Sequence, residues 1–397
     1  MKAARPVMAP VTVHPVRSRR ERRAFIAFPY ALYHGCSHWT APLQRDMART
    51  LNHGNPFLAH GAIAPFIAVD AAGSVVGRIA AIVNGRHLEK HQDGAGFFGF
   101  FECVEDYEAA GALFAAAGAW LRSRALTVIR GPVNPSLNES SGLLVEGFDR
   151  RPSVLMPYNP PYYERFLLRH GFERTMTTWA YRVAAADLDT ARLERGAALV
   201  RQRAPGFHVR KAQLRLLDEK TRVMCRLYNE AFAETWGHVP LSESEFLHMA
   251  RAMRPILDPN LVLFLEHHDR PVGFSFSVPD VNLLLRHVPD GRVWPFGILR
   301  LLASRWLGQL REFRVVVLAL LPEYRGRGLD SLLILTTIQE GLRRGYVASE
   351  LSWILDSNRP LRKNLVSLGA SIDKEYALFE RTLREERPAR PVYWLHP

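Results

Sequence analysis

Apolar and polar positions along this chain follow two rhythms, a period near 3.6 and a period of 2, and they recur in the same order twice. In the first half, Ala24 to Tyr33 and Pro42 to Leu51 carry helical spacing. Pro65 to Asp70 and Ser74 to Val83 alternate as strands, joined by Asp70-Ala71-Ala72-Gly73, the residues of a hairpin turn. The aromatic run Gly96 to Val104 predicts another strand, Tyr107 to Ser123 an alanine-rich helix and Leu126 to Gly131 a strand. A helix over Tyr162 to His170 and a closing strand over Thr177 to Val183 complete the half.

The second half repeats the series. Phe207 to Lys211 is a strand, followed by helices over Leu217 to Glu234 and Glu243 to Met253. Asn260 to His267 and Pro271 to Val278 form a second hairpin. Then come a strand (Val315 to Leu321), a helix (Ser331 to Arg344), a strand (Glu350 to Asp356), a helix (Pro360 to Leu368) and a closing strand (Lys374 to Arg381). The fold class is mixed α/β, each half a twisted mixed sheet flanked by helices. The expected domains are 1–185 and 205–385, with a linker helix at 186–204 and a proline-rich tail at 386–397.

One segment carries chemistry. The buried strand Val315 to Leu321 is stopped by Pro322, and Arg325-Gly326-Arg327-Gly328-Leu329-Asp330 leads straight into a helix. Glycines let the backbone approach a ligand, clustered N–H groups point to one spot, and the helix dipole favours negative charge there. A structural turn is the plain alternative. The motif resembles the pyrophosphate loop of the GCN5-related N-acetyltransferase superfamily, Arg/Gln-x-x-Gly-x-Gly/Ala, with Arg325, Gly328 and Asp330 at its three positions. Asp330 departs from it, placing a carboxylate near the diphosphate unless it turns away to cap the helix.

The whole chain, from Phe25 to Leu383, resembles a family of bacterial tandem acetyltransferase-fold proteins, some of which act as bacterial ceramide synthases. Asn358 opening a helix that closes on Leu368-Gly369-Ala370, and Asn159 opening one that closes on His170-Gly171-Phe172, resemble the superfamily's segment beside the pantetheine arm. The resemblance implies acyl-CoA as co-substrate, no metal, and transfer of the acyl group to a primary amine. The loop Arg325 to Asp330 would bind the cofactor, with a backbone N–H at Leu320 or Leu321 facing the developing oxyanion. The first half has Glu102-Cys103-Val104-Glu105-Asp106 where its loop should fall, acidic and without glycine, so it reads as a degenerate copy.

The central strand carries no ionisable residue, so a base must come from elsewhere. Glu139 and Asp356 are preferred, with Asn358 beside them; Glu323, Tyr158, Tyr162 and Tyr163 are further candidates. Each carboxylate also fits a plain surface or capping charge. The general-acid position seven residues after Asn358 is Leu365, which leaves the acid unassigned.

Charge and length narrow the partners. The formal charge is +13, almost all of it arginine, which suits CoA, nucleic acid or an anionic membrane. Three separated cysteines suggest neither a disulfide framework nor a zinc site. With no signal-type N-terminus and no apolar run of about 18 residues, a cytoplasmic protein is expected, with peripheral contact at the inner membrane left open. The insertion Val281 to Phe313 predicts a basic amphipathic helix over Trp294 to Phe313, with Pro295, Leu299, Leu302, Trp306 and Leu310 on one face. That favours a lipidic, sphingoid-type amine acceptor. A small amine or peptide N-terminus, or acyl-CoA binding without catalysis, stays open. Nucleic acid is disfavoured, since the only basic cluster is Val16 to Arg23.

Overall fold

The computed structural model describes residues 11–213, 217–292 and 310–383. Turn chemistry sets its first hairpin. Asp70 Oδ1 accepts from the N–H groups of Ala72 and Ser74 at 2.9 and 2.8 Å, and Gly73 takes φ +80°. Helices start where caps allow. Asp106 accepts from Glu108 and Ala109 N–H ahead of the helix Tyr107–Arg122, and Ser242 with Glu245 forms a capping box for Glu243–Met253.

In chain order the strands are β1 (Thr12–Pro15), β2 (Gly61–Val69), β3 (Val75–Asn84), β4 (Ala95–Cys103), β5 (Val128–Gly131), β6 (Val133–Asn134), β7 (Ser140–Ser141) and β8 (Leu143–Glu146). They continue with β9 (Glu173–Ala184), β10 (Phe207–Lys211), β11 (Val262–His267), β12 (Arg270–Pro279), β13 (Glu312–Leu320), β14 (Ala348–Leu355) and β15 (Ser371–Thr382). Thirteen of these make one sheet, ordered β1-β2-β3-β4-β5-β15-β9-β14-β13-β12-β11-β10, with β8 also on β15. Among the described strands only β4–β5 and β13–β14 are parallel.

The two expected sheets are thus joined edge to edge, and their closing strands cross over. β9, which ends the first half, pairs with β14 of the second; β15, which ends the second, pairs with β5 and β8 of the first. The two crossing strands pair with each other from Ser371↔Arg182 to Glu380↔Glu173. Sequence periodicity specifies a strand and its faces, not its neighbour, so local reading assigns each strand to its own half. In the first half alternate residues of β2 feed cores on opposite faces, Phe66 and Ala68 with the helix Tyr107–Arg122 and Ile67 with Phe25; in the second half a core gathers against the helix Asp330–Arg343.

At the centre, Arg314 is 1% exposed and fully bonded. It donates to Ser352 Oγ, Ser352 O and Val154 O, all at 2.9 Å, while Ser352 Oγ donates to Glu350 at 2.7 Å and Lys374 Nζ lies 3.0 Å from Glu350. The network fixes β13, β14, β15 and the Val154 segment to one another.

Some expectations change. Asn159 does not open a helix. Its side chain bonds both backbone groups of Leu144, and the helix Tyr162–Arg169 has Pro161 at its N-cap. A polar side chain beside an unpaired strand end finds more partners there than at a cap. Of the expected amphipathic helix over Trp294 to Phe313, residues 294–309 lie outside the described residues, while Glu312 and Phe313 already belong to β13. The tail from 384 lies outside as well. No described helix is long and apolar enough to cross a membrane.

Candidate active site

Around Gly326 and Gly328 the chain makes an anion nest. Both have φ +73°, the left-handed region that glycine enters without penalty. Among the described residues no group accepts from the five successive N–H groups of Gly326, Arg327, Gly328, Leu329 and Asp330; the next one, Ser331 N–H, donates to Gly328 O at 3.0 Å. Five free donors at the N-terminus of the helix Asp330–Arg343 form a concentration of positive potential. Arg325 serves the loop's shape. Its Nε donates to Leu320 O at 3.1 Å and its NH2 donates to Ala231 O, tying the loop to strand and helix. Arg327 is exposed, over the rings of Phe207 and Tyr324 at 5.8 and 5.9 Å.

Asp330 does not cap the helix. Leu329 occupies the N-cap without a side-chain bond, and Asp330 is the first helical residue. A carboxylate in the first turn gains from the helix dipole.

Beside the loop the sheet splits. β13 and β14 pair only from Glu312↔Ala348 to Val315↔Leu351, after which β13 runs on to Leu320 with that edge open. A bulge inserts Val316 where the split begins, because Phe276 faces Val317 while Ser277 faces Val315. Leu321 N–H donates to Val272 O at 3.0 Å, which removes it as an oxyanion donor. Alternation in an antiparallel pair then turns the N–H groups of Leu320 and Leu318 away from β12, into the notch.

The first half has the same split, and its own chain fills it. β4 and β5 pair from Ala95↔Val128 to Phe97↔Arg130 and then part. Phe100 N–H donates to Asn134 Oδ1 at 2.5 Å, and a Cβ on Gly99 would collide with Val133 O. Residues of β6 thus sit where a ligand's extended arm would have to lie. Glu102 belongs to β4 rather than to a loop, and accepts from Tyr33 and Tyr163 hydroxyls at 2.7 and 2.8 Å.

A cavity of about 1960 Å³ meets the open notch at Val317, Leu318 and Trp353, and both halves line it. Loop residues 325–330 do not line it; the helix they open does, through Ile334 and Ile338. Its wall also includes Met249, Met253 and Ile256 from the second half.

Glu139 stands in that wall, half-buried, in the turn between β6 and β7. Neighbouring Asn138 clamps the turn to the second half, donating to Val239 O at 2.9 Å and accepting from Tyr228 Oη at 2.9 Å. Burial, with the charge of Glu245 nearby, pushes Glu139 up to about 8. Glu245 itself is held by His60 at 2.7 Å and Arg86 at 3.0 Å. Buried His238, also in the wall, is pushed down to about 4 by desolvation, so it is neutral at pH 7.

The other candidates lie elsewhere. Asp356 does not line the cavity; its carboxylate accepts from Trp179 Nε1 at 2.9 Å and pairs with Arg362. Asn358 lines the cavity but caps its helix, accepting from Leu361 N–H at 3.3 Å. Tyr158 lines the cavity and donates to Phe148 O; Tyr162 and Tyr163 are bonded to Cys103 and Glu102. Glu323 is exposed in the turn before the loop, and buried Leu365 offers no acid. Asn138, Tyr228 and His238 escape a sequence reading because about 100 residues separate partners that only the topology joins.

No family model matches the chain. It is 29% identical over 371 residues to protein YghO of Escherichia coli K12, covering 92% of this chain and 94% of that protein. It is 28% identical over 387 residues to the bacterial ceramide synthase of Caulobacter vibrioides, covering 94% and 98%. Among solved structures, a tandem GNAT protein from the clavulanic acid biosynthesis pathway aligns with TM-score 0.57 at 13% identity, covering 95% of this chain and all of that one. A GCN5-related N-acetyltransferase from Sphaerobacter thermophilus aligns with TM-score 0.53 at 13% identity, covering 94% and 96%. The nest, the bulged and parted strands, and their repetition across two halves place this chain in the tandem GCN5-related N-acetyltransferase fold.

Proposed function

We propose that this protein is an N-acyltransferase that moves an acyl group from a CoA thioester to an apolar, long-chain primary amine. The observation that carries the reading is the continuity of nest, notch and cavity, one of the notches being open and the other filled. The diphosphate of CoA lies on the N–H groups of Gly326 to Asp330. Its pantetheine arm follows the exposed edge of β13 and brings the thioester to Leu318 and Leu320, whose N–H groups face the carbonyl oxygen.

The acceptor occupies the cavity. Glu139 takes a proton from its ammonium, and the free nitrogen attacks the thioester carbon. Charge gathers on oxygen near the β13 N–H groups, then the C–S bond breaks and the CoA thiolate leaves, while solvent takes the second proton from nitrogen as the neutral amide forms. A carboxylate pushed up to about 8 is a far better proton acceptor for an amine of pKa near 10 than one at the usual 4.3. A thiolate needs no acid to depart, which agrees with Leu365 at the acid position. Asp356, engaged by Arg362 and Trp179, is left with the task of holding β14 to the helix after it.

The name of the Caulobacter relative supports a lipidic acceptor. So does the cavity: a 16-carbon chain has a volume of about 450 Å³, taking roughly 28 Å³ per carbon, near a water's share of its liquid. The available space is several times that. The first half, 1–185, would act as a degenerate scaffold that contributes the base, and 205–385 would bind the thioester. Release of free CoA thiol from acetyl-CoA and from a long-chain acyl-CoA, with octylamine, sphinganine or a small polyamine as acceptor, tests the reading. Faster release with the apolar amines supports it. Release with the polyamine alone would give the small-amine alternative, and none with any acceptor would leave a binding protein.

A further inference from the structure

The basic segment Val16 to Arg23 takes no part in the site above. In the structure, Arg17, Arg19, Arg20, Arg22 and Arg23 are all exposed, and none forms an ion pair with a described residue. Glu21 is the single acidic residue among them. Its carboxylate accepts from the N–H groups of Arg17 and Ser18 at 2.8 and 2.7 Å within the capping box of the helix Arg19–Leu32 and stays partly exposed. The segment therefore presents five cations and a single anion, which is held at the helix start.

Their position is unfavourable for the isolated protein. Four lie in the first five residues of the helix, where the dipole is positive and cations are repelled. Helices normally place Asp or Glu there. An external layer of negative charge removes that penalty and is met by arginines and helix end together.

The helix also connects the patch to the cavity. It is about 21 Å long at 1.5 Å per residue, and its Pro29 reaches the cavity wall. The segment after it supplies Arg45 and Arg49, which line the cavity while remaining exposed. Basic residues thus occur at the helix start and again in the cavity wall, where Arg49 pairs with Asp46 at 3.6 Å and Arg45 stands beside them. We infer that this face docks on an anionic lipid bilayer, the phosphodiester headgroups meeting Arg17 to Arg23 so that the cavity opens toward the membrane. The choice of a membrane over a nucleic acid rests on the apolar-acceptor reading above: an apolar substrate is delivered from a bilayer, and a duplex would bring nothing to the opening.

The test is flotation of the full chain with vesicles of phosphatidylcholine alone or with 30% phosphatidylglycerol, over a range of salt. Binding is expected only with phosphatidylglycerol and falls as salt shortens the Debye length. Each arginine near such a surface is worth about fivefold in partitioning, so the triple variant Arg19→Glu, Arg22→Glu, Arg23→Glu should bind at least about 100-fold less. Glutamates suit a helix N-terminus, so this variant should melt no lower than the parent, which separates lost docking from misfolding. Its acyl transfer to octylamine in free solution should equal the parent's. Equal binding to neutral vesicles, or undiminished binding by the triple variant, overturns the inference. A salt-dependent shift of duplex DNA by the parent, with no vesicle binding, replaces it with a nucleic-acid surface. If vesicle binding behaves as expected while no acceptor releases CoA, the acyltransferase reading fails and the docking face stands.

Discussion

Replacing Glu139 by glutamine keeps the shape of the β6–β7 turn and removes one ionisation. With the carboxyl pushed up to about 8, about a tenth of it is ionised at pH 7 and about nine tenths at pH 9. If ionised Glu139 is the base, kcat/KM for the amine should rise about tenfold across that interval, because kcat/KM follows groups in the free enzyme. Positioned bases contribute about 100-fold or more, so Glu139→Gln should lose at least that much at pH 8 and lose the rising limb as well. Stopped-flow or plate-reader detection of free thiol at fixed ionic strength provides the profile. A variant within threefold of the parent, with its limb intact, would refute the role of Glu139 and return the search for a base to the cavity wall.

Further outcomes follow from the same geometry. Between the ordinary glutamate pKa near 4.5 and about 8, folded Glu139 keeps a proton that the unfolded chain has released. Stability should therefore fall as pH rises through that window, and the melting temperature of Glu139→Gln should be less sensitive to pH from 5 to 9. Arg314→Met leaves Val154 O, Ser352 O and Ser352 Oγ without their donor. Denaturant unfolding should show a loss of about 3–5 kcal/mol. A methyl group at Gly326 would meet open space, so Gly326→Ala should cost only the left-handed backbone penalty of about 1–2 kcal/mol. Gly99→Ala, which drives a Cβ into Val133 O, should cost more. An equal cost for the two would contradict the filled first-half notch.

Much of the fold was legible because its elements are strongly patterned. The strand Phe207–Lys211 and the helix Glu243–Met253 fall on their expected bounds, and most other elements differ by a few residues at the ends. The crossing of β9 and β15 was not legible, since both strands alternate in the same way and nothing local distinguishes their partners. The nest was visible as Gly326 and Gly328 between a buried strand and a helix. Its donors could be sorted only with the register in hand, which engages Leu321 and leaves Leu320 free. Glu139 could be named from sequence but not separated from Asp356. The difference lies in contacts across the molecule: Asn138 with Tyr228 on one side, and Trp179 and Arg362 on the other.

The proposed acyl transfer presupposes a single thioester site per chain, built on the second-half nest. Calorimetric titration of CoA into the parent and into Arg327→Glu tests it most directly. Arg327 makes no hydrogen bond to a described residue, so its reversal places a carboxylate beside the nest without removing a contact that shapes the loop. One CoA per chain is expected for the parent, with affinity at least about tenfold weaker for the variant, a change of about 1.4 kcal/mol or more. Two sites per chain, or equal affinity in the variant, would contradict it.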